Sequence, residues 1–245
     1  MDLCRKARIV RLHGRSARSS DEVTMTQEYR QPRYRPPVGA ADLLLIRHGE
    51  SQPYRPGEPF PMKDGQGDPA LHPDGHLQAE AVGAHLQDFP IAAIYATTLQ
   101  RTQQTAAPLA AQLQLELRIE PDLREIFLGD WDNGIYRVKA ASGDPVFRRV
   151  MEQQDWGEVP GAERSDAFHA RVRGGLMRIA GAHRGEQVAV FVHGGVIAAA
   201  VAEATGARRM AFMGASNGSI TRLVIEGDRM TVRSFNDIGH LGDLV

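Results

Sequence analysis

Three short apolar runs in this chain lack polar alternation: LLLI (43–46), AAIYA (92–96) and VAVFV (188–192). A strand with one wet face alternates apolar and polar residues, whereas a strand that does not alternate is covered on both faces. Three such strands demand a sheet with a layer above it and a layer below it. The stretches between them read as the helices that supply those layers. Pro73 suits a first helical position, with Leu77, Ala81 and Ala84 as one apolar face. Phe168, Val172, Leu176 and Ile179 repeat at i, i+4, i+8 and i+11, a second amphipathic helix. GVIAAAVAEA (195–204) is apolar nearly all round, predicting a buried helix that stops at Gly206. The end of the chain, SITRLVIEGDRMTVRSF, alternates around Glu-Gly-Asp and predicts an antiparallel hairpin. The fold class expected is α/β, a three-layer α/β/α sandwich with a mostly parallel central sheet.

Composition narrows the setting. The single cysteine among 245 residues, Cys4, excludes a disulfide within the chain and suits a reducing, cytoplasmic location. A formal net charge of −1 gives no whole-protein field directed at nucleic acid or membrane. No apolar run reaches the roughly 20 residues that span a bilayer. Residues 1–40 are rich in arginine, serine and proline and lack apolar periodicity, so a flexible basic arm is expected there, with a domain over 41–245. Met25 is an alternative start, and assembly as a homodimer is left open.

In parallel sheets, ligands bind beyond the carboxyl ends of the strands. Arg47 and His48 follow LLLI directly, and His193 follows VAVFV in VHGGV. Gly49, Gly194 and Gly195 are expected to let backbone approach a ligand, and the helix after His193 offers free N–H groups to an anion. After AAIYA, Thr97 or Thr98 could cap a helix, placing Arg101 in its first turn. Arginines, histidines and helix N-termini converging on one sheet edge describe a phosphate site. His13 forms the same His-Gly pair without a strand before it and is read as tail. His72 and His76, four apart, are read as an ordinary surface pair, so no metal site is expected.

The ordered set LIRHGES, LHPDGHLQA, YATTLQRTQQTA, REIFLGDW, PGAE and VFVHGGVI, closed by FNDIGHL, resembles the histidine phosphatase superfamily, the phosphoglycerate mutase-like family, across residues 42–241. The resemblance implies a phosphomonoesterase of the phosphatase branch acting on a phosphorylated metabolite, with no cofactor. It implies His48 as nucleophile, Glu125 as general acid and base, and a protonated His193 as transition-state stabiliser. Arg47, Arg101, His193 and Gly194 would bind the phosphate. The alternatives are a cofactor-dependent phosphoglycerate mutase, a non-catalytic phosphate-recognition module, and the same chemistry on a phosphoprotein.

The sequence departs from the family pattern at the pocket rim. The asparagine usual after Arg-His-Gly is missing, with Gln52 or Arg55 as replacements. His72 stands where serine or threonine is usual, Asp132-Asn133 replaces Glu-Gly, and Arg164 replaces serine. Trp131 is expected beside the pocket. Segment 132–160 is read either as a cover over the leaving group or as a plain surface insertion.

Overall fold

A computed structural model describes residues 28–245, so most of the arm expected over 1–40 lies outside the described residues. Among the described residues the order is β1 (Ala41–Arg47), β2 (Met62–Lys63), β3 (Gln66–Gly67), α1 (Pro73–Leu86), β4 (Ile91–Ala96), α2 (Gln100–Leu113), β5 (Leu117–Ile119), α3 (Ile135–Ala141), α4 (Pro145–Gln153), α5 (Ser165–Ala182), β6 (Gln187–Val192), α6 (Gly194–Thr205), β7 (Ile220–Glu226) and β8 (Arg229–Asp237). The main sheet runs β5-β4-β6-β1-β7-β8. The strands β5, β4, β6 and β1 pair in parallel, and β7 and β8 join antiparallel at one edge. The hairpin expected near the C-terminus is that edge.

The lack of alternation in LLLI has a direct structural counterpart. Leu43 and Leu45 belong to one apolar core together with Val188, Val190 and Val192 and with Val172, Leu176, Val196 and Ile197 of α5 and α6. Leu44 and Ile46 point the other way, into a second core with Ala189, Phe191, Val82 of α1 and Leu109 of α2. All four residues are at most 2 % exposed, which at about 1.5–3 kcal/mol per buried aliphatic side chain makes β1 a major anchor of both layers. The architecture is the three-layer α/β/α sandwich with a mostly parallel sheet. The α5 face Phe168, Val172, Leu176 and Ile179 is buried as the spacing predicts, and α6 closes at Gly206 in the left-handed conformation.

The face of α1 differs from expectation. Leu77 is 53 % exposed and Ala84 is exposed, while Gly75, Gln78, Ala79, Val82, Gly83 and Leu86 are buried. Backbone docking sets this rotation. A Cβ on Gly75 would fall 2.0 Å from the Glu50 carbonyl oxygen, and one on Gly49 would fall 2.4 Å from the Gly75 oxygen. The Gln78 Oε1 also accepts the Glu50 N–H at 2.8 Å. The helix therefore turns its smallest residue to the loop after β1, and side-chain hydrophobicity is overruled.

Candidate active site

The sheet brings the carboxyl ends of β1, β6 and β4 side by side, and the chemistry-bearing residues follow from them. A cleft of about 380 Å³ opens there, its wall including Arg47, His48, Arg101 and Glu125. His193 and Gly194 are not in that wall. His193 lies directly behind His48, fully buried, with ring centroids 5.2 Å apart. A Cβ on Gly194 would lie 3.4 Å from Arg47 Nε.

His48 Nδ1 is 2.7 Å from the carbonyl oxygen of Gly49. A carbonyl can only accept, so Nδ1 carries the hydrogen and Nε2 keeps its lone pair. Burial, then the charges of Arg101 and Arg47, hold the imidazole well below its usual pKa, so it is neutral at pH 7. Nε2 is 3.3 Å from the Nε of Arg101, which donates to it. Asn217 Nδ2 donates to the His48 carbonyl at 2.8 Å, fixing the backbone of the loop.

Arg101 sits in the first turn of α2, as expected, but neither Thr97 nor Thr98 caps that helix. The N-cap position is Leu99, and the Gln100 N–H is instead satisfied from outside the helix by Asp68 Oδ1 at 2.8 Å. Thr97 is used elsewhere: its Oγ1 lies 3.0 Å from His193 Nε2 and 3.0 Å from Thr102 Oγ1. Arg101 is held by the Gly67 carbonyl at 3.2 Å and by Asp68 at 3.8 Å. Burial lowers its pKa to about 10 despite the opposing charges of Glu125 and Asp68, which leaves it charged at neutral pH. Arg47 donates to the Ala215 carbonyl, and its Nε is buried without a hydrogen-bond partner among the described residues.

The imidazolium expected at His193 is not the form that the unliganded site favours. Burial, with Arg101, His48 and Arg47 nearby, pushes this histidine well below its usual pKa, so it is neutral in the unliganded site. Its Nδ1 is buried without a partner among the described residues. If the Thr97 hydroxyl donates to Nε2, the single proton of the neutral ring must sit on Nδ1, which is then a donor without needing positive charge.

Glu125 also departs from the simple picture. Its Oε2 accepts the Gly195 N–H at 3.1 Å and its Oε1 accepts the Ile126 N–H at 3.0 Å. The α6 N-terminus, expected to offer its amides to a phosphate, thus spends one of them on this carboxylate. The glycines are explained by packing against protein as much as by ligand approach. Gly49 meets Gly75, and a Cβ on Gly195 would lie 2.4 Å from Glu125 Oε1.

Several pocket features escaped sequence reasoning. Arg137, on α3, lines the cleft and donates to the Gln52 carbonyl and Ser51 Oγ, each at 2.8 Å. Asn217 and Tyr136 line it too. The candidates for the missing asparagine do not. Gln52 donates to the Leu71 carbonyl, and Arg55 pairs with Glu58 in solvent. Trp131 lines the cleft as expected, and of segment 132–160 the residues Asp132, Asn133, Gly134, Tyr136 and Arg137 form wall. His72 serves as the N-cap of α1, its Nδ1 accepting the Asp74 N–H at 3.3 Å. Among the described residues, one grouping has three potential metal ligands, Glu50, His72 and Asp74, within 4.8 Å. His72 is already committed to the cap and both acids are exposed, so this grouping reads as a helix start.

Comparison with known proteins agrees with this geometry. The family profile of the histidine phosphatase superfamily (branch 1) matches residues 43–238. The chain is 29% identical over 208 residues to phosphoglycerate mutase-like protein 4 of Arabidopsis thaliana, covering 83% of this chain and 88% of that protein. It is 29% identical over 211 residues to a metal-independent phosphoserine phosphatase of the same plant, covering 83% and 84%. Among solved structures, a mycobacterial glucosyl-3-phosphoglycerate phosphatase superposes with a TM-score of 0.65 at 27% identity, covering 80% of this chain and 99% of that one. A phosphoglycerate mutase from Bacillus anthracis shares the fold with a TM-score of 0.69 at 22% identity, covering 84% of this chain and 97% of that one.

Proposed function

The chain belongs to the histidine phosphatase superfamily and is a phosphoric monoester hydrolase, and we propose that it works through a phosphohistidine formed on His48. The observation that carries this reading is the His48 ring itself. Its Nδ1 is tied to the Gly49 carbonyl, burial and two arginines hold it well below its usual pKa, and its unprotonated Nε2 accepts a hydrogen bond from Arg101 Nε at 3.3 Å in the wall of the cleft.

In the proposed first step, Nε2 attacks phosphorus and the ester P–O bond breaks. Arg47 and Arg101 hold the phosphoryl oxygens, whose charge grows in transit. His193 donates its Nδ1 hydrogen to one of them, with Thr97 setting the tautomer. Glu125, entering this step as the carboxylic acid, gives its proton to the leaving oxygen and becomes the carboxylate. In the second step Glu125 takes a proton from water, the water oxygen attacks phosphorus, and the P–N bond breaks. Inorganic phosphate leaves and both side chains return to their starting states.

The proposed substrate is a small phosphorylated metabolite, and the proposed setting is the cytoplasm; no helix among the described residues is long and apolar enough to cross a membrane. The proposed organisation is a basic arm over 1–40 ahead of a catalytic domain over 41–245. The test is hydrolysis of p-nitrophenyl phosphate with EDTA present, wild type beside His48→Ala, with acid-labile phosphate trapped on the protein. Turnover and trapping in the wild type alone support the reading. Equal turnover in both would remove His48 as nucleophile. Transfer of phosphate from bisphosphoglycerate to phosphoglycerate, without net hydrolysis, would replace the phosphatase with a mutase.

A further inference from the structure

His48 and His193 follow the ends of strands, but Glu125 does not. Residues 124–128, which carry it, form neither helix nor strand. No ladder of backbone hydrogen bonds holds this carboxylate opposite the nucleophile, so side chains must satisfy the loop and fix it. Arg171, on α5, does most of this. Its Nη1 donates to the Asp122 carbonyl at 2.7 Å and to the Arg124 carbonyl at 2.8 Å. Its Nη2 donates to the Glu125 carbonyl at 3.0 Å, which also accepts from Gln66 Nε2 at 2.9 Å. The other two N–H groups meet Glu163, Nε to Oε1 at 2.7 Å and Nη2 to Oε2 at 2.8 Å. Glu163 in turn accepts the Phe127 N–H at 3.3 Å and donates its own N–H to the Phe127 carbonyl at 2.8 Å. The arginine holds the loop up to Glu125, and its carboxylate partner holds the loop just beyond it.

Two features separate Arg171 from the arginines of the cleft. It is not part of the cleft wall, and all five of its N–H donors are used within the protein, so none is left for a phosphoryl oxygen. Its guanidinium also lies 4.8 Å from the ring centre of Phe168. Phe168 belongs to the same buried core as Leu43 and Leu45 of β1, which tie the clamp to the strand that mounts His48. Resting on the phosphatase reading, we propose that Arg171, locked by Glu163, is the positioning residue of the general acid. It acts through Glu125, setting where that carboxyl group meets the leaving oxygen and then the water. Only arginine fits this task. Its planar fork spans three carbonyls and a carboxylate at once, whereas a lysine ammonium offers three donors from a single point.

The test compares two phosphoryl donors on the full chain. One is p-nitrophenyl phosphate, whose leaving group departs with little help. The other is the fastest-cleaved of glycerol 3-phosphate, O-phosphoserine and O-phosphoethanolamine, whose alkoxide needs the proton of Glu125. Rapid quench of acid-labile phosphate on the protein gives the first-step rate for each donor, and the readout is their ratio. Unfolded protein lowers the amount trapped and leaves the ratio unmoved. Arg171→Met should slow the alkyl donor about ten- to a hundredfold relative to p-nitrophenyl phosphate, the scale of a displacement of about 1 Å. Arg171→Lys keeps the positive charge that reaches His193 but loses the fork, and should lose nearly as much. Glu163→Gln keeps its shape and weakens the lock, so it should move the ratio the same way by less, and it carries the test where an arginine variant does not fold. A folded variant with the wild-type ratio overturns the proposal, and so does full rescue by lysine. Failure to trap phosphate on the wild type with any donor would instead bring down the phosphohistidine reading, and this proposal with it.

Discussion

Gly195→Ala displaces Glu125, the proposed general acid, without replacing it. A Cβ at this position would lie 2.4 Å from Glu125 Oε1 and 3.2 Å from Cδ, whereas ordinary contact begins near 3.4 Å. The carboxyl group must therefore retreat by about 1 Å, and the Gly195 N–H bond at 3.1 Å is lost or lengthened. The obstacle is the far end of a flexible side chain, so the fold survives. Alanine is also the better helical residue by up to ~1 kcal/mol, which offsets the disturbance. Catalysis should not survive so well, since a misplacement of about 1 Å can cost on the order of a hundredfold. The loss should depend on the leaving group. p-Nitrophenolate departs with little help, so phosphorylation of His48 persists while water activation by Glu125 fails. Stopped-flow absorbance should show a burst of one equivalent of p-nitrophenol followed by a slow steady state. An alkyl phosphate needs the proton in the first step and should show slow turnover with no burst. Glu125→Gln should reproduce both patterns. Wild-type turnover of the alkyl phosphate by a folded Gly195→Ala protein would refute the role given to Glu125.

Thr97→Val removes the partner of His193 Nε2, so both ring nitrogens become buried without partners. The expected result is about 1–3 kcal/mol of lost stability and a kcat reduced more than tenfold, read from urea unfolding and steady-state kinetics; an unchanged kcat would show that Thr97 does not set the tautomer. His48 and His193 have folded pKa values well below 6.5, so the unfolded chain binds more protons below that pH. Their stabilising contribution is complete above pH 6.5 and falls as pH drops below it, by up to ~1.4 kcal/mol per pH unit for each group, and urea midpoints that stay flat from pH 7 to 5 would contradict this. Asp42, buried at the start of β1, accepts two hydrogen bonds from Arg222 and one from Gln187. Asp42→Ala should cost about 2 kcal/mol, tempered because Arg222 is partly exposed, and should leave kcat unchanged because the site lies at the other end of the strand.

The sheet was legible because burial on both faces erases alternation, and LLLI and VAVFV say so without help from the rest of the chain. Arg47, His48 and His193 were legible as strand-end residues for the same reason. The α1 face was not, because Gly75 and Gln78 turn inward to meet the backbone of Glu50, a contact that leaves no periodic mark. Thr97 offered a cap at the sequence level and became the neighbour of His193 when α2 took its outside cap from Asp68. Arg137 and Asn217 reach the cleft from a helix in an irregular segment and from the loop before β7. Their only local signals, Asn-Gly pairs at 133–134 and 217–218, mark turns without saying what the turns face.

The position of β1 in the sheet also has a temporal meaning. It pairs on one side with β6 and on the other with β7, so Asp42 bonds to Gln187, 145 residues away, and to Arg222, 180 residues away. A chain leaving the ribosome at about 5–20 residues per second carries LLLI for roughly 7–30 s before β6 has even been made. Throughout that interval the strand has no edge to join, and its apolar side chains are available to the wrong partners. Closing contacts of such span is slow even once the chain is complete. His48, the proposed nucleophile, follows a strand that cannot pair until β6 has been made, so a truncated chain ending before β6 should carry His48 without activity and depend on chaperones to stay in solution.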